Sequence, residues 1–167
     1  SFHPVKSITT GEGGMLTTNN KKISEKIKQL RNHNMIKSKN YWDYDIKKCS
    51  FNYRLSDINC ALGVTQLNKL NMFLNKRLKI YNYYKKRIRK LKALNDIITF
   101  PNYENVTKSS HHLLLFNFNF YKLKTNKDYL IKFLNEKKIF PQFHYKPINM
   151  FSFYKKKEKF PGSLKYY

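Results

Sequence analysis

Cysteines and long apolar runs are both scarce in this sequence. Its 167 residues contain two cysteines, Cys49 and Cys60, and their spacing matches neither a disulfide framework nor a metal-binding pattern. We therefore expect two reduced thiols in a cytosolic protein. No apolar run approaches the ~18 residues that a membrane-spanning helix needs, so the sequence argues against a membrane protein.

Acidic residues are scarce as well. There are 10 Asp and Glu against 34 Lys and Arg, which gives a formal net charge of +24. One interpretation is a non-enzymatic basic module that binds RNA or an anionic surface, because basic patches attract polyanions. The lysines are spread along the whole chain beside abundant Asn, Ile, Tyr and Phe, which is typical of AT-rich coding sequence. A phosphate-bearing nucleotide sugar would benefit from the same field, so composition leaves both interpretations open.

Apolar and aromatic residues are present in sufficient number for a folded domain. Hydrophobic residues make up 41% of the chain and include 13 Tyr and 13 Phe, which is not a disordered composition. A domain of this length can bury about 70% of the surface of its unfolded chain. Composition therefore predicts a folded protein with a sizeable core.

One lysine stands out in the first fourteen residues. They read SFHPVKSITTGEGG, with Lys6 between Pro4 and Gly11. A lysine amine is a nucleophile only after it loses its proton, and in a dry, positively charged site it can form a Schiff base with an aldehyde. On composition alone, a surface lysine in a basic chain is the commoner case.

This stretch closely resembles the cofactor-lysine motif of the DegT/DnrJ/StrS family of sugar aminotransferases. These are fold-type I enzymes that use pyridoxal phosphate (PLP). Within the family, this sequence is most similar to that of members that act on UDP-linked 4-keto-6-deoxy amino sugars in pseudaminic-acid biosynthesis. The resemblance covers nearly all of the chain, and it implies a fragment that lacks the N-terminal half and the extreme C-terminus of such an enzyme.

Two further segments carry the resemblance. Residues 52–57 read NYRLSD and are followed by ALG at 61–63 and QL at 66–67, as in the family. Residues 144–147 read HYKP and are similar to the family's HY-x-P segment near the substrate. The chain departs from the family at Ser50 and at 138–141, where relatives often have glycine.

The resemblance implies an α/β fold class, namely part of a fold-type I PLP transferase. Residues 1–70 would be the C-terminal part of the PLP-binding large domain. Residues 71–167 would be most of the small α+β C-terminal domain, which would be incomplete.

Hydrophobic periodicity predicts the individual elements. Helices are expected at 21–33 and 126–137, together with a helical run from about 58 to 94 that is too long for one straight helix. The family resemblance implies a break in this run near 69–72. Asn20 and Ser56 are expected to cap helices, and Asn34 to end the first helix in a left-handed conformation. Strands are expected on both sides of a glycine turn, at 5–8 and 15–18, and at 111–120 and 139–144, with a connector at 35–51 and a loop at 96–108.

The resemblance also implies roles for single residues. Lys6 would be the catalytic residue, holding PLP as an internal aldimine and shuttling a proton. Ser1 would contact the phosphate of PLP, and Asn52 would reach the phosphate in the neighbouring subunit, so that a homodimer would share its active sites. The expected substrate-binding residues are Gln142, Phe143, His144 and Tyr145.

The function implied is cytoplasmic transfer of an amino group, usually from glutamate, to the keto carbon of a nucleotide-linked deoxy sugar. Nucleic acid, membrane and metal are not expected as partners. In the family, the phosphate loop, the ring-stacking aromatic residue and the carboxylate that pairs with the pyridinium nitrogen all precede the lysine. We therefore expect the chain to be inactive alone and active within a longer parent protein.

Overall fold

The computed structural model describes residues 1–101, 109–154 and 160–166, and it divides into two compact units. The first unit comprises residues 1–95 and 99–117, and the second comprises residues 96–98 and 118–167. The domain boundary at residue 70, which comes from the family resemblance, stays a prediction.

The first helix begins where the sequence places it. Helix α1 spans Lys21–Arg31, and the side chain of Asn20 caps it by accepting a hydrogen bond from the N–H of Ile23 at 3.2 Å. The helix ends two residues earlier than expected. His33 and Asn34 then adopt left-handed φ angles of 57° and 56°, which confirms the predicted reversal at Asn34.

The long helical run is broken where the family resemblance implies. Helix α2 spans Asp57–Asn68 and helix α3 spans Leu70–Lys90, with Lys69 between them. Ser56 caps α2 by accepting a hydrogen bond from the N–H of Asn59 at 3.3 Å. The first residue of α2 is an aspartate, which the positive end of the helix dipole favours.

The two strands predicted beside the glycine turn, at 5–8 and 15–18, are wrong, because these residues form turns and irregular chain. Residues 1–14, here called the lysine loop, fold back on the Phe2 backbone. The Phe2 N–H donates to the Gly13 carbonyl at 2.9 Å, and the Phe2 carbonyl accepts from the Thr10 N–H at 3.0 Å. Gly11 and Gly13 have φ angles of 81° and 143°. The backbone bonds of the loop are thus made internally, with no neighbouring strand among the described residues.

The expected connector at 35–51 contains an antiparallel hairpin. Strand β1, Met35–Lys37, pairs with strand β2, Tyr44–Ile46. The side-chain amide of Asn34 donates to the Lys48 carbonyl at 3.2 Å, which closes the base of the hairpin. Three-residue strands are too short to show the alternation from which a strand is predicted.

The predicted strand at 111–120 is much shorter in the structure. Strand β4, Asn117–Phe118, pairs with strand β3, Ile98–Thr99, and helix α4 begins directly afterwards, spanning Phe120–Leu123. The predicted alternation is visible near β4, where Asn117 and Asn119 are exposed and the phenylalanines between and beside them are half-buried. Of the predicted loop at 96–108, residues 102–108 lie outside the described residues.

The second unit is mainly helical. Helix α5 spans Lys127–Glu136, close to its predicted bounds, and Asn126 caps it. The strand predicted at 139–144 is wrong, because this stretch has no strand partner among the described residues. Two short 3₁₀ helices, Ile148–Met150 and Ser152–Tyr154, and helix α6, Pro161–Tyr166, complete the unit.

Hydrophobic side chains are not enclosed in either unit. Across the described ranges, the only buried residues are Thr10 and Asn34. The predicted sizeable core is therefore absent from this part of the chain. Both cysteines are exposed thiols. No helix within the described residues has the length and hydropathy of a membrane span.

An aromatic group lies beside helix α3. The ring of Tyr81 stacks on His111 with centroids 4.2 Å apart, and it meets Phe100 edge-on at 5.7 Å. The ammonium of Lys85 lies 5.8 Å from the centre of the Tyr81 ring. Partial burial in this group lowers the pKa of His111, because desolvation disfavours the charged imidazolium.

This packing predicts a loss of stability on acidification. His111 is neutral in both folded and unfolded protein well above pH ~6.5, so its packing contributes fully to the free energy of unfolding there. As the pH falls through that value, the unfolded chain binds the proton first, and the free energy of unfolding decreases. We expect His111→Asn to reduce this decrease, measured by urea denaturation at about pH 7.5 and about pH 5.5.

Asparagine suits the test because the φ angle of His111 is 45°, a conformation that asparagine tolerates. His33→Asn, at the other histidine with positive φ, controls for the backbone effect of the substitution. If His111→Asn loses as much stability on acidification as the parent protein does, burial of His111 is not the cause of that loss.

Candidate active site

Lys6 is held through its main chain on both sides. Its N–H donates to the His3 carbonyl at 2.9 Å, and its own carbonyl accepts a hydrogen bond from Nη2 of Arg77 at 3.1 Å. The residue is half-buried. Within the described residues, its amine has no hydrogen-bond or ion-pair partner, so a fixed backbone presents an amine that is available for chemistry.

Helix α2 supports the lysine loop from one face. Thr10 is 3% exposed, and its carbonyl accepts a hydrogen bond from the side-chain amide of Asn59. One turn further along, a Cβ on Gly63 would lie 2.8 Å from Cγ2 of Thr10. Only glycine therefore lets the helix approach the loop this closely.

Ser1 is exposed at the start of the lysine loop. Its hydroxyl oxygen accepts a long hydrogen bond from the His3 N–H at 3.5 Å, which leaves the hydroxyl hydrogen able to donate elsewhere. A hydroxyl donor on the same loop as Lys6 suits a phosphate ligand. The phosphate-binding role of Ser1 stays a prediction.

Asn52 lies on a different part of the first unit. It forms a β-bridge with Asn32, and its side-chain oxygen accepts from the N–H of Arg54 at 3.2 Å. Its amide nitrogen therefore remains as a solvent-facing hydrogen-bond donor. Within the described residues, no hydrogen bond joins Asn52 to Ser1 or Lys6. The role of Asn52 towards a second subunit stays a prediction.

The four predicted substrate-binding residues lie together in the second unit. The rings of His144 and Tyr145 stack with centroids 4.0 Å apart, and Gln142 is exposed. Phe143 lies 6.4 Å from Phe120, measured between ring centroids. It also lines a groove of about 660 Å³ beside helix α5. Their substrate-binding role stays a prediction.

In the part of the chain that the structure describes, no group of three or more His, Cys, Asp or Glu side chains is arranged to hold an ion.

Three residues that support the lysine loop, Asn59, Gly63 and Arg77, could not be assigned to this site from the sequence. Gly63 lies within the ALG segment, but its spacing alone does not reveal that it packs on Thr10. Arg77 is 71 residues from Lys6 on a strongly basic helix. Helical periodicity identifies the face of a helix, but it cannot identify a contact with a distant loop.

The sequence profile of the DegT/DnrJ/EryC1/StrS aminotransferase family matches residues 1–166. The UDP-4-amino-4,6-dideoxy-N-acetyl-beta-L-altrosamine transaminase of Campylobacter jejuni subsp. jejuni serotype O:23/36 is 46% identical over 159 residues, covering 93% of this chain. The chain spans 40% of the length of that relative.

Solved structures show the same fold. Helicobacter pylori PseC, an aminotransferase involved in the biosynthesis of pseudoaminic acid, superposes with a TM-score of 0.79 at 33% identity. The match covers 93% of this chain and 40% of PseC. The PLP-form of the putative sugar aminotransferase Spr1654 from Streptococcus pneumoniae gives a TM-score of 0.73 at 24% identity, covering 93% of this chain and 39% of that one. These likenesses confirm the expected α/β fold of a PLP transferase.

The contact between Gly63 and Thr10 predicts the effect of a single added methyl group. The hydroxyl of Thr10 donates to the Glu12 carbonyl at 2.6 Å, so its side chain cannot rotate away without losing that bond. We expect Gly63→Ala to displace the lysine loop and to cost about 1–3 kcal/mol of overpacking. Better helix propensity offsets about 1 kcal/mol of this. Urea denaturation would measure the net loss.

Gly162→Ala is the matched control, because a Cβ there meets nothing within 4 Å and the residue lies in helix α6. It is expected to be neutral or stabilising by up to about 1 kcal/mol. Equal stability changes in the two variants would contradict the close approach at Gly63.

Proposed function

The chain belongs to the DegT/DnrJ/EryC1/StrS aminotransferase family, and we propose that it is the lysine-bearing part of a PLP-dependent sugar transaminase. The observation that carries the proposal is the Lys6 amine, unpaired within the described residues, on a loop fixed by helices α2 and α3. The enzyme would transfer an amino group, with glutamate as donor, to the keto carbon of a nucleotide-linked 4-keto-6-deoxy sugar. The names of the Campylobacter and Helicobacter relatives support a sugar of the pseudaminic-acid type.

The donor groups of this chain fit PLP. PLP has an aldehyde and a phosphate, and the chain offers a half-buried amine at Lys6 and a hydroxyl donor at Ser1. The amide nitrogen of Asn52 is a further donor at the surface. The charge of +24 favours a phosphate-bearing cofactor and substrate.

When bound, PLP supplies a carbonyl carbon that condenses with amines and a ring that withdraws electrons. Lys6 would hold the cofactor through Nζ. After its release by the amino donor, Nζ would act as the base that removes the α-proton of the donor and later returns a proton to the sugar carbon. The main chain of Lys6, held by His3 and Arg77, would restrict the positions that this amine can take during both proton transfers.

The site would be shared between the subunits of a homodimer. Asn52 is exposed and has no hydrogen bond to Lys6 of its own chain among the described residues, which supports a role towards the phosphate in the partner subunit. Gln142, Phe143, His144 and Tyr145 would contact the nucleotide sugar. We also propose that the chain is inactive alone, since it spans 40% of the length of its relative, and that the complete enzyme acts in the cytoplasm.

The role of Lys6 can be tested in the full-length protein, meaning this chain completed to the length of its relatives by its own coding sequence or by that of the Campylobacter relative. Reduction with borohydride in the presence of PLP is expected to attach one pyridoxyl group to the Lys6 peptide, as detected by mass spectrometry. Lys6→Arg should abolish the label and lower transamination at least about 10²–10⁴-fold, the usual contribution of a general base.

Lys21→Arg, at the exposed first residue of α1, is the control and should keep both label and activity. A label that remains after Lys6→Arg would refute the assignment.

Sharing of sites between subunits predicts complementation. Lys6→Ala and Asn52→Ala should each be impaired as homodimers, whereas a mixed dimer has one site with both native residues. After dissociation and random reassociation of equal amounts, about a quarter of the parental activity is expected, because half of the dimers are mixed and half of their sites are intact. Activity no higher than the mean of the two unmixed variants would show that both residues act within one subunit.

A further inference from the structure

Arg77 reaches the lysine loop from a distant part of the chain. It lies about two turns into helix α3, and its Nη2 donates to the carbonyl of Lys6 at 3.1 Å across 71 residues of sequence. Both residues belong to the first unit. The three motifs that identify the family do not include Arg77.

The guanidinium of Arg77 has few other partners. Its Nη1 is buried without a hydrogen-bond partner, and no carboxylate among the described residues forms an ion pair with it. A guanidinium keeps its charge at any ordinary pH and has five N–H donors. Among the described residues, the Lys6 carbonyl is therefore the only hydrogen-bond acceptor of Arg77. A hydrogen bond from a desolvated cation is stronger than one between neutral groups.

This bond acts on the residue that carries the amine. The carbonyl of Lys6 is attached to the carbon from which its side chain starts, and the N–H on the other side already donates to His3. Fixing both peptide groups fixes the direction of the Cα–Cβ bond. A displacement of about 1 Å at a reacting group can lower a rate by about 100-fold, so the position of this backbone matters for catalysis.

We propose that Arg77 is a positioning residue for Lys6, whose guanidinium fixes the main chain from which the Lys6 amine reaches the carbonyl carbon of the cofactor. The proposal rests on the proposed function. It differs from a merely structural role because removing the guanidinium would displace the Lys6 amine, an effect that a change in the stability of the fold alone would not produce.

The test uses the full-length apoprotein with Arg77→Ala, Arg77→Lys and the control Arg87→Ala, an exposed arginine on the same helix. The first readout is the rate at which added PLP is captured on Lys6, trapped with borohydride at timed intervals. The second is the pair of kcat and KM for the sugar substrate. We expect Arg77→Ala to slow capture and to lower kcat by about 10- to 100-fold with KM nearly unchanged, and Arg87→Ala to match the parent protein.

Chemical rescue separates positioning from folding. Ethylguanidinium should restore much of the capture rate of Arg77→Ala, because it can occupy the vacated position. Ethylammonium should restore less of that rate, and the Arg77→Lys variant should capture PLP more slowly than the parent protein. Should Arg77→Ala not fold, Arg77→Gln gives the same comparison with a neutral donor.

Two results would overturn the proposal. One is a parental capture rate in Arg77→Ala. The other is a slow rate that ethylguanidinium does not restore, accompanied by a lower thermal midpoint, which would indicate a structural role only. If the parent protein is itself not labelled on Lys6, the proposed function is refuted together with this role of Arg77.

Discussion

The close contact between the lysine loop and helix α2 is the constraint on which the candidate site depends. Asn59 and Gly63 are four residues apart, so they lie on the same face of α2. The first binds the loop through the Thr10 carbonyl, and the second leaves space for the Thr10 side chain. With the loop held there, Arg77 on helix α3 can reach the carbonyl of Lys6. The break at Lys69 thus separates two helices that support the same loop.

Large apolar side chains remain exposed among the described residues. On helix α2, Ile58 is 83% exposed and Val64 is 61% exposed. Such side chains are normally covered in a folded protein. The chain spans 40% of the length of the Campylobacter relative.

Features encoded by neighbouring residues could be predicted from the sequence. The caps at Asn20 and Ser56 each use a side chain that accepts an N–H three residues ahead, so the signal lies within one turn. Strands need a partner, and residues 5–8 have no strand neighbour in the described chain, so their β-propensity was misleading. The motifs identified Lys6, Ser1 and Asn52 as candidates. They could not reveal the support from Arg77, because a contact across 71 residues leaves no local pattern.

The left-handed residue at the start of the hairpin has two separate tasks. The φ angle of Asn34 is 56°, which glycine and asparagine tolerate best. Its side-chain amide also binds the Lys48 carbonyl, which glycine cannot do. Few other residues can therefore meet both requirements at this position. Glycine would keep the chain reversal but would lose the link that joins the two ends of the hairpin.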